Sequence, residues 1–201
     1  MKQILRIDAS ANASNSSSKK LGNKLTEKFQ QSYPDVRINQ RNINHGLPFV
    51  DEHWVNANVT PADQRTVEQK QQLELSDTLI AELQQADRII ITTPMYNFGV
   101  PAVLKAWIDL VCRAGVTFQY TNEGPVGLLK NKQVDIIITT GGVPLQSPVD
   151  FVSDYLKQVF RFIGIEHITI INADQMAIDA DTSLKKAHQQ IDDLSILTAA
   201  A

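Results

Sequence analysis

Hydroxyl side chains crowd a short stretch that follows the first apolar segment of the chain. The four that could contact a ligand are Ser10, Ser16, Ser17 and Ser18. We expect a helix directly after them. The free N–H groups at the beginning of a helix attract anions, and serine hydroxyls can donate to phosphate oxygens. Because the chain contains neither GxGxxG nor GxxxxGK, this phosphate site would be neither a Rossmann dinucleotide site nor a P-loop. Ordinary N-capping by one serine is the alternative.

Two further segments could face the same ligand. Residues 94–101 are bracketed by prolines, which stiffen the backbone, and such a loop can offer N–H and C=O groups to a planar heterocycle. Residues 139–142 end in paired glycines, which allow the backbone to approach a ligand closely. The alternatives are a hydrophobic loop packed on its own domain and an ordinary turn. The candidate residues are Pro94, Met95, Tyr96, Asn97, Phe98, Thr139, Thr140, Gly141 and Gly142.

Strands and helices that alternate along the chain must position these segments. Short, nearly continuous runs of β-branched residues at 88–94, 133–140 and 165–173 are typical of strands buried in a parallel sheet. Residues 3–10 are a further strand, and residues 35–43 alternate between apolar and polar, which predicts an edge strand. Apolar residues at helical spacing predict helices over 16–33, 64–86, 101–114, 149–163 and 181–197. The remaining long stretches, 43–63 and 115–131, are predicted to be irregular loops.

This order of elements predicts an α/β fold, with a doubly wound, five-stranded parallel sheet and helices on both faces. With the strands numbered along the chain, we expect the flavodoxin-like order 2-1-3-4-5, which places a ligand crevice at the carboxyl ends of the strands. The three candidate segments follow strands 1, 3 and 4, which are neighbours in that order, so they should converge on one crevice. Residues 1–201 are expected to form a single domain.

Composition excludes several classes of protein. The net charge is −3, and the basic surface that binds nucleic acid is absent, so no nucleic-acid partner is expected. Cys112 is the single cysteine, so no internal disulfide can form, and neither HExxH nor CxxC occurs, so no metal site is expected. The apolar part of the amino terminus is too short for a signal peptide, and no run reaches the length of a membrane span. We expect a cytoplasmic protein without a membrane partner.

Several motifs together resemble one family. The segment PMYNFGVPAVLKAWIDLVCRAGVTFQYTNEGPVGLL, residues 94–129, is similar to the flavin-contacting region of bacterial FMN-dependent NADH-azoreductases, also known as FMN-dependent NADH:quinone oxidoreductases. The serine-rich turn, the LSDTLIAEL stretch at 75–83 and the FIGI stretch at 162–165 match as well. The resemblance covers nearly the whole chain, and residues 43–70 match least.

The resemblance implies a non-covalently bound FMN and a set of contact residues. The phosphate would lie at Ser10, Ser16, Ser17 and Ser18, and the isoalloxazine ring between residues 94–98 and residues 139–142. It also implies a homodimer with two flavin sites at the subunit interface. Thr140 stands where the family pattern often has the arginine of an S-R-G-G motif, so the role of that cation is not carried over to this chain. The aromatic residues expected to shape the substrate pocket are Phe118, Tyr120 and Phe162.

The implied mechanism is a ping-pong reaction. NADH would deliver a hydride to flavin N5 and leave, and a quinone or an aromatic azo compound would then take two electrons in the same pocket. The cofactor supplies this chemistry, so no catalytic acid–base side chain and no metal are expected. A flavodoxin-like electron carrier that binds FMN without NADH turnover is the first alternative. A phosphodiesterase is the second, although the sequence shows no cluster of metal-ligating side chains for it.

Overall fold

The computed structural model describes residues 1–12 and 14–195, and its elements alternate as the sequence predicts. The strands are β1 (Gln3–Asp8), β2 (Arg37–Asn42), β3 (Arg88–Pro94), β4 (Phe118–Thr121), β5 (Gly124–Gly127), β6 (Gln133–Thr139) and β7 (His167–Ala173). The helices are α1 (Ser17–Ser32), α2 (Glu52–Val59), α3 (Val67–Gln85), α4 (Ala102–Val111), α5 (Ser153–Phe162) and α6 (Ala180–Asp193).

Five parallel strands form the central sheet, in the order β2-β1-β3-β6-β7. Once the short β4–β5 hairpin is set aside, this is the predicted order 2-1-3-4-5, and the flavodoxin-like prediction is confirmed. The inner strands are apolar on both faces because helices cover both. One cluster of buried residues packs α1 and α6 against one face, and a larger cluster packs α2, α3, α4 and α5 against the other.

Strand β1 shows how the two faces differ. Leu5 and Ile7 point into the larger cluster. Ile4 points into the smaller one, and the next residues on that same face are Arg6 and Asp8, both buried. The face of β1 below α1 therefore begins apolar and becomes charged toward the carboxyl edge of the sheet.

The two stretches predicted to be irregular contain regular structure. Helix α2 lies within 43–63, where Asp51 caps it by accepting from Trp54 N at 2.8 Å. The buried residues of this helix are Trp54 and Ala57. Two buried positions are too few to produce a recognisable helical spacing of apolar residues in the sequence. Within 115–131, β4 and β5 pair as an antiparallel hairpin. Its Gly and Pro residues concealed strands of four residues each.

The helix boundaries also differ by a few residues. Helix α3 begins at Val67, three residues after the predicted start, because Thr66 and Gln69 form a capping box. Helix α5 ends at Phe162, and Gly164 follows with φ of +104°, as expected for a glycine after a helix end. Helix α6 ends at Asp193, and the last residues of the predicted 181–197 helix lie outside the described residues.

Candidate functional site

Three loops begin side by side at the carboxyl edge of the sheet. They follow β1, β3 and β6, which are adjacent strands. Ala9 N donates to Thr92 O at 2.9 Å, and Met95 N donates to Thr139 O at 2.8 Å, so each loop is joined to its neighbour where it leaves the sheet. The structure therefore brings the three predicted segments together, at the switch point where ligands of such sheets bind.

The loop after β1 presents hydroxyls and N–H groups at the beginning of α1. Ser16 is the N-cap, and its Oγ accepts from Lys19 N at 3.3 Å and lies 3.0 Å from Ser18 Oγ. Ser10 is buried and its Oγ accepts from Asn12 N, whereas Ser17 is half-buried. Ser16 thus performs the ordinary capping role, but the backbone N–H groups of Ser17 and Ser18 have no acceptor among the described residues. These two donors can receive an anion.

The loop after β3 is a tight turn held by its own backbone. Tyr96 N donates to Gly99 O at 2.9 Å, and Gly99 N donates to Tyr96 O at 3.0 Å. Asn97 and Phe98 between them have φ of +50° and +67°. A bulky residue rarely adopts this conformation, and such strain is typical of ligand sites. Phe98 is 51% exposed, and within the described part of the chain the Asn97 and Phe98 N–H groups have no acceptor.

The loop after β6 is held by the hydroxyl of Thr140. That oxygen accepts from Gln175 N at 2.9 Å and donates to Val143 O, while Met176 N donates to Thr140 O. The loop is therefore tied to the segment that follows β7. A Cβ added to Gly141 or Gly142 would meet no atom within 4 Å, and neither residue has a positive φ. Neither packing nor backbone conformation of the described chain requires glycine at these two positions.

Two carboxylates that the sequence analysis did not single out also hold this loop. Asp174 Oδ2 accepts from Leu145 N at 2.8 Å, and Asp150 accepts from the backbone N of Gln146, Val152 and Ser153. Burial raises the pKa of Asp150, but its hydrogen bonds lower that pKa by more, the one from the Ser153 hydroxyl contributing most. The pKa of this carboxyl therefore lies below its usual value. Asp150 stands three residues before the first residue of α5, but the sequence analysis placed it inside the predicted 149–163 helix and so missed this role.

Aromatic side chains of the hairpin and of the end of α5 form a cluster near the amino ends of β6 and β7, at the opposite edge of the sheet from the three loops. The ring centroid of Phe118 lies 4.3 Å from that of Phe162 and 5.5 Å from that of Tyr120, so the three predicted pocket residues are together. Phe118 is buried and supports the other two, Phe162 is half-buried, and Tyr120 is 73% exposed. Backbone contacts hold the hairpin against the segment after α5. Leu129 N donates to Ile163 O at 2.9 Å, and Gly127 packs so closely on Gly164 that an added Cβ at Gly127 would lie 2.0 Å from Gly164 N.

The poorly matched 43–70 region is joined to the hairpin by a buried arginine. The Arg113 guanidinium donates to Asn58 Oδ1 in α2 at 3.0 Å, to Ser76 Oγ in α3 at 3.2 Å and to Asp77. Its backbone N donates to Thr117 Oγ1 at 2.9 Å, directly before β4. One side chain thus connects α2, α3 and the base of the hairpin.

Two classes of site are not represented in the part of the chain that the structure describes. No group of three His, Cys, Asp or Glu side chains is arranged to hold a metal ion there. Burial, with a smaller contribution from Asp109, raises the pKa of Cys112 to about 12, so this thiol is not activated as a nucleophile.

Among the described residues, no helix has both the length and the apolar character needed to cross a membrane.

The fold and the crevice define a protein of the flavodoxin-like class. A family model described as "Flavodoxin-like fold" matches residues 2–194. FMN-dependent NADH:quinone oxidoreductase 1 of Hahella chejuensis is 53% identical over 94% of this chain and 93% of the relative. The enzyme of the same name from Jannaschia sp. is 45% identical over 97% of this chain and its own full length. The chain belongs to this flavodoxin-like family of FMN-dependent NADH:quinone oxidoreductases.

Solved structures give the same result. An FMN-dependent NADH-azoreductase from Bacillus anthracis str. Ames Ancestor, in complex with FMN, has a TM-score of 0.86 and 26% identity and covers 96% of this chain and 97% of its own. The azoreductase of Bacillus anthracis str. Sterne has a TM-score of 0.85 at 24% identity, which shows the shared fold.

Proposed function

We propose that the chain is an FMN-dependent oxidoreductase that takes two electrons from NADH and passes them to quinones and aromatic azo compounds. The flavin assignment rests on one observation: three loops with complementary chemistry meet at one crevice. The names of the relatives support the donor and the acceptors, since they are NADH:quinone oxidoreductases and an NADH-azoreductase. The two substrates would use the crevice in turn, in a ping-pong reaction.

The residues of the crevice fit FMN, which joins a dianionic phosphate to a planar ring. The unpaired N–H groups of Ser17 and Ser18 suit the phosphate, together with the hydroxyls of Ser10, Ser16 and Ser18. Two features suit a ring edge: the adjacent unpaired N–H groups of the 96–99 turn, and the open side of Gly141 and Gly142. The ring would lie between residues 94–98 and residues 139–142.

When bound, FMN supplies the redox chemistry, and the protein supplies orientation and a protected pocket. The strained 96–99 turn holds its N–H donors in fixed positions. These donors therefore need not reorient during the reaction, which avoids a reorganisation energy. Thr140 keeps the opposite loop in one conformation, and its neutral hydroxyl brings no positive charge to the position where the family often has arginine. Phe118, Tyr120 and Phe162 lie at the opposite edge of the sheet, so they would stack on an aromatic acceptor only at the crevice of a second subunit.

We further propose a homodimer in the cytoplasm, with residues 1–201 as a single domain in each subunit. Exposed aromatic residues support the dimer: Phe49 is 76% exposed, and Phe98 and Phe151, which also follow strands at the carboxyl edge, and Tyr120 on the hairpin are exposed too. A second copy that covers these side chains would also close the pocket over the acceptor. The single cysteine is in keeping with a reducing compartment.

One spectroscopic experiment tests the oxidoreductase and its alternatives together. The purified protein is mixed with FMN and desalted, and its visible spectrum is recorded before and after anaerobic addition of NADH and then of a quinone. We expect retained flavin that bleaches with NADH and recovers with quinone. Retained flavin that NADH does not reduce would identify an electron carrier. Protein without flavin would contradict the FMN site.

A further inference from the structure

A buried guanidinium lies beneath the first two turns of α1. Arg6 and Asp8 in β1 are 3% and 1% exposed, and Arg6 Nε donates to Asp8 Oδ1 at 3.0 Å. The other two nitrogens of Arg6 reach α1: Nη2 donates to Lys19 O at 3.0 Å, and Nη1 donates to Asn23 Oδ1 at 2.7 Å. All three nitrogens of the fork are therefore engaged, and two of them bind the helix.

The carboxylate partner is also fully engaged. Asp8 Oδ1 accepts from Thr92 Oγ1 at 2.8 Å as well as from Arg6, and Asp8 Oδ2 accepts from Gln40 Nε2 at 2.7 Å. These donors come from β3 and β2, the two strands beside β1. The ion pair thus links three strands of the sheet to one helix, and because the charges cancel, its main consequence is geometric.

Close approach of the helix makes this link possible. Gly22 faces the pair, and a Cβ there would lie 2.5 Å from Thr92 Cγ2 and 3.1 Å from Arg6 Nη2. Lys19 connects the pair to the beginning of the helix, because its carbonyl accepts from Arg6 while its N–H donates to the Ser16 cap at 3.3 Å. Arg6 therefore binds Lys19, the residue after Ser17 and Ser18, whose N–H groups have no acceptor among the residues that the structure describes.

We propose that Arg6 is a positioning residue: it holds the first turn of α1 in the place where its N–H groups meet the flavin phosphate, and so sets the preference of the site for FMN over riboflavin. This inference rests on the proposed FMN function. Anion binding by N–H groups depends on their direction and distance, so a small displacement of the turn weakens it. Lysine at this position would keep the charge next to Asp8, but a single ammonium lacks the planar fork that binds two acceptors on the helix.

The test compares the dissociation constants of FMN and riboflavin, which differ by the phosphate alone. For Arg6→Lys we expect the constant for FMN to rise about tenfold and that for riboflavin to change less than about twofold. Asn23→Ala removes one acceptor of Arg6 at an exposed position of α1, and it should raise the dissociation constant for FMN alone, by a smaller factor.

A second buried arginine pair provides the matched control. Arg88 donates to Asp135 Oδ2 at 2.5 Å and to Gln133 Oε1 at 2.6 Å, and it is as buried as Arg6, but it lies at the opposite edge of the sheet. Arg88→Lys should reduce stability without changing the ratio of the two constants. An equal effect of Arg6→Lys on both flavins, or the same change of ratio in Arg88→Lys, would overturn the inference. Wild-type protein that binds FMN no more tightly than riboflavin would instead overturn the phosphate site.

Discussion

Thr140 illustrates how one hydroxyl can fix a functional loop. Its oxygen accepts from Gln175 N and donates to Val143 O. We expect Thr140→Val to lower the free energy of unfolding by about 1–2 kcal/mol, because the buried Gln175 contact and the loop closure are both lost. The same change should weaken FMN binding.

Thr140→Ser is the control, since it keeps the hydroxyl and removes a methyl group. Denaturant titration and flavin fluorescence would measure both effects. A valine variant with unchanged FMN affinity would show that this hydroxyl serves stability alone.

Cys112 should react very slowly with alkylating reagents in the folded protein. Burial raises the pKa of its thiol to about 12, so at pH 8 about one molecule in ten thousand carries the reactive thiolate. Iodoacetamide should therefore label native protein far more slowly than protein in denaturant. Mass spectrometry would follow the labelling, with Cys112→Ser as the unlabelled control, and rapid labelling of the native state would contradict the raised pKa of this thiol.

Asp150 controls an element rather than a single contact, because its carboxylate organises the segment between β6 and α5. Its folded pKa lies below the usual value, so it contributes stability that is present above the unfolded pKa of about 3.9 and is lost as the pH falls through the folded pKa. Asp150→Asn should lower stability at pH 7 by about 1 kcal/mol and have little effect at a pH below the folded pKa, where the carboxyl is protonated in both states. Unfolding curves at both pH values would measure this, and equal losses at both would refute the assignment.

Arg113 makes a comparable prediction for α2 and the hairpin. Arg113→Met would remove the contacts to Asn58, Ser76 and Asp77 while keeping a similar apolar length. We expect a raised KM for the quinone, because the hairpin that carries Tyr120 loses its support, and little change in the rate of flavin reduction by NADH. Stopped-flow measurement separates the two half-reactions, and an equal loss in both would contradict a role confined to the acceptor side.

The whole molecule should be a dimer closed by its exposed aromatic residues. Sedimentation equilibrium should give about twice the chain mass of 22.4 kDa. Tyr120→Asp should shift this toward the monomer, whereas Val67→Asp, at an exposed position on α3, should not. A monomeric wild-type protein would contradict the dimer.

The sequence predicted the sheet well because its signal is local. Runs such as Arg88–Pro94 carry their own β-branched pattern, and the convergence of three loops follows from strand order alone. Helix α2 and the hairpin were missed because long-range contacts stabilise them, through Arg113 and through Gly127 against Gly164. The same limit hid Asp174 and Arg6, whose partners lie across loops or strands. Asp150 binds residues at most four positions away, and it was missed because the predicted helix began at 149.

The contact between Gly127 in the hairpin and Gly164 after α5 holds the hairpin in place without the side chains that would contact an acceptor. Because backbone meets backbone at Gly127 and Gly164, no side chain at the tip of the hairpin is needed to hold it in place. Tyr120 and Val126 are exposed and can change while the scaffold stays the same. Mutational drift or a directed library at these positions could therefore alter which acceptors are reduced, without the losses of stability that usually accompany changes near a cofactor.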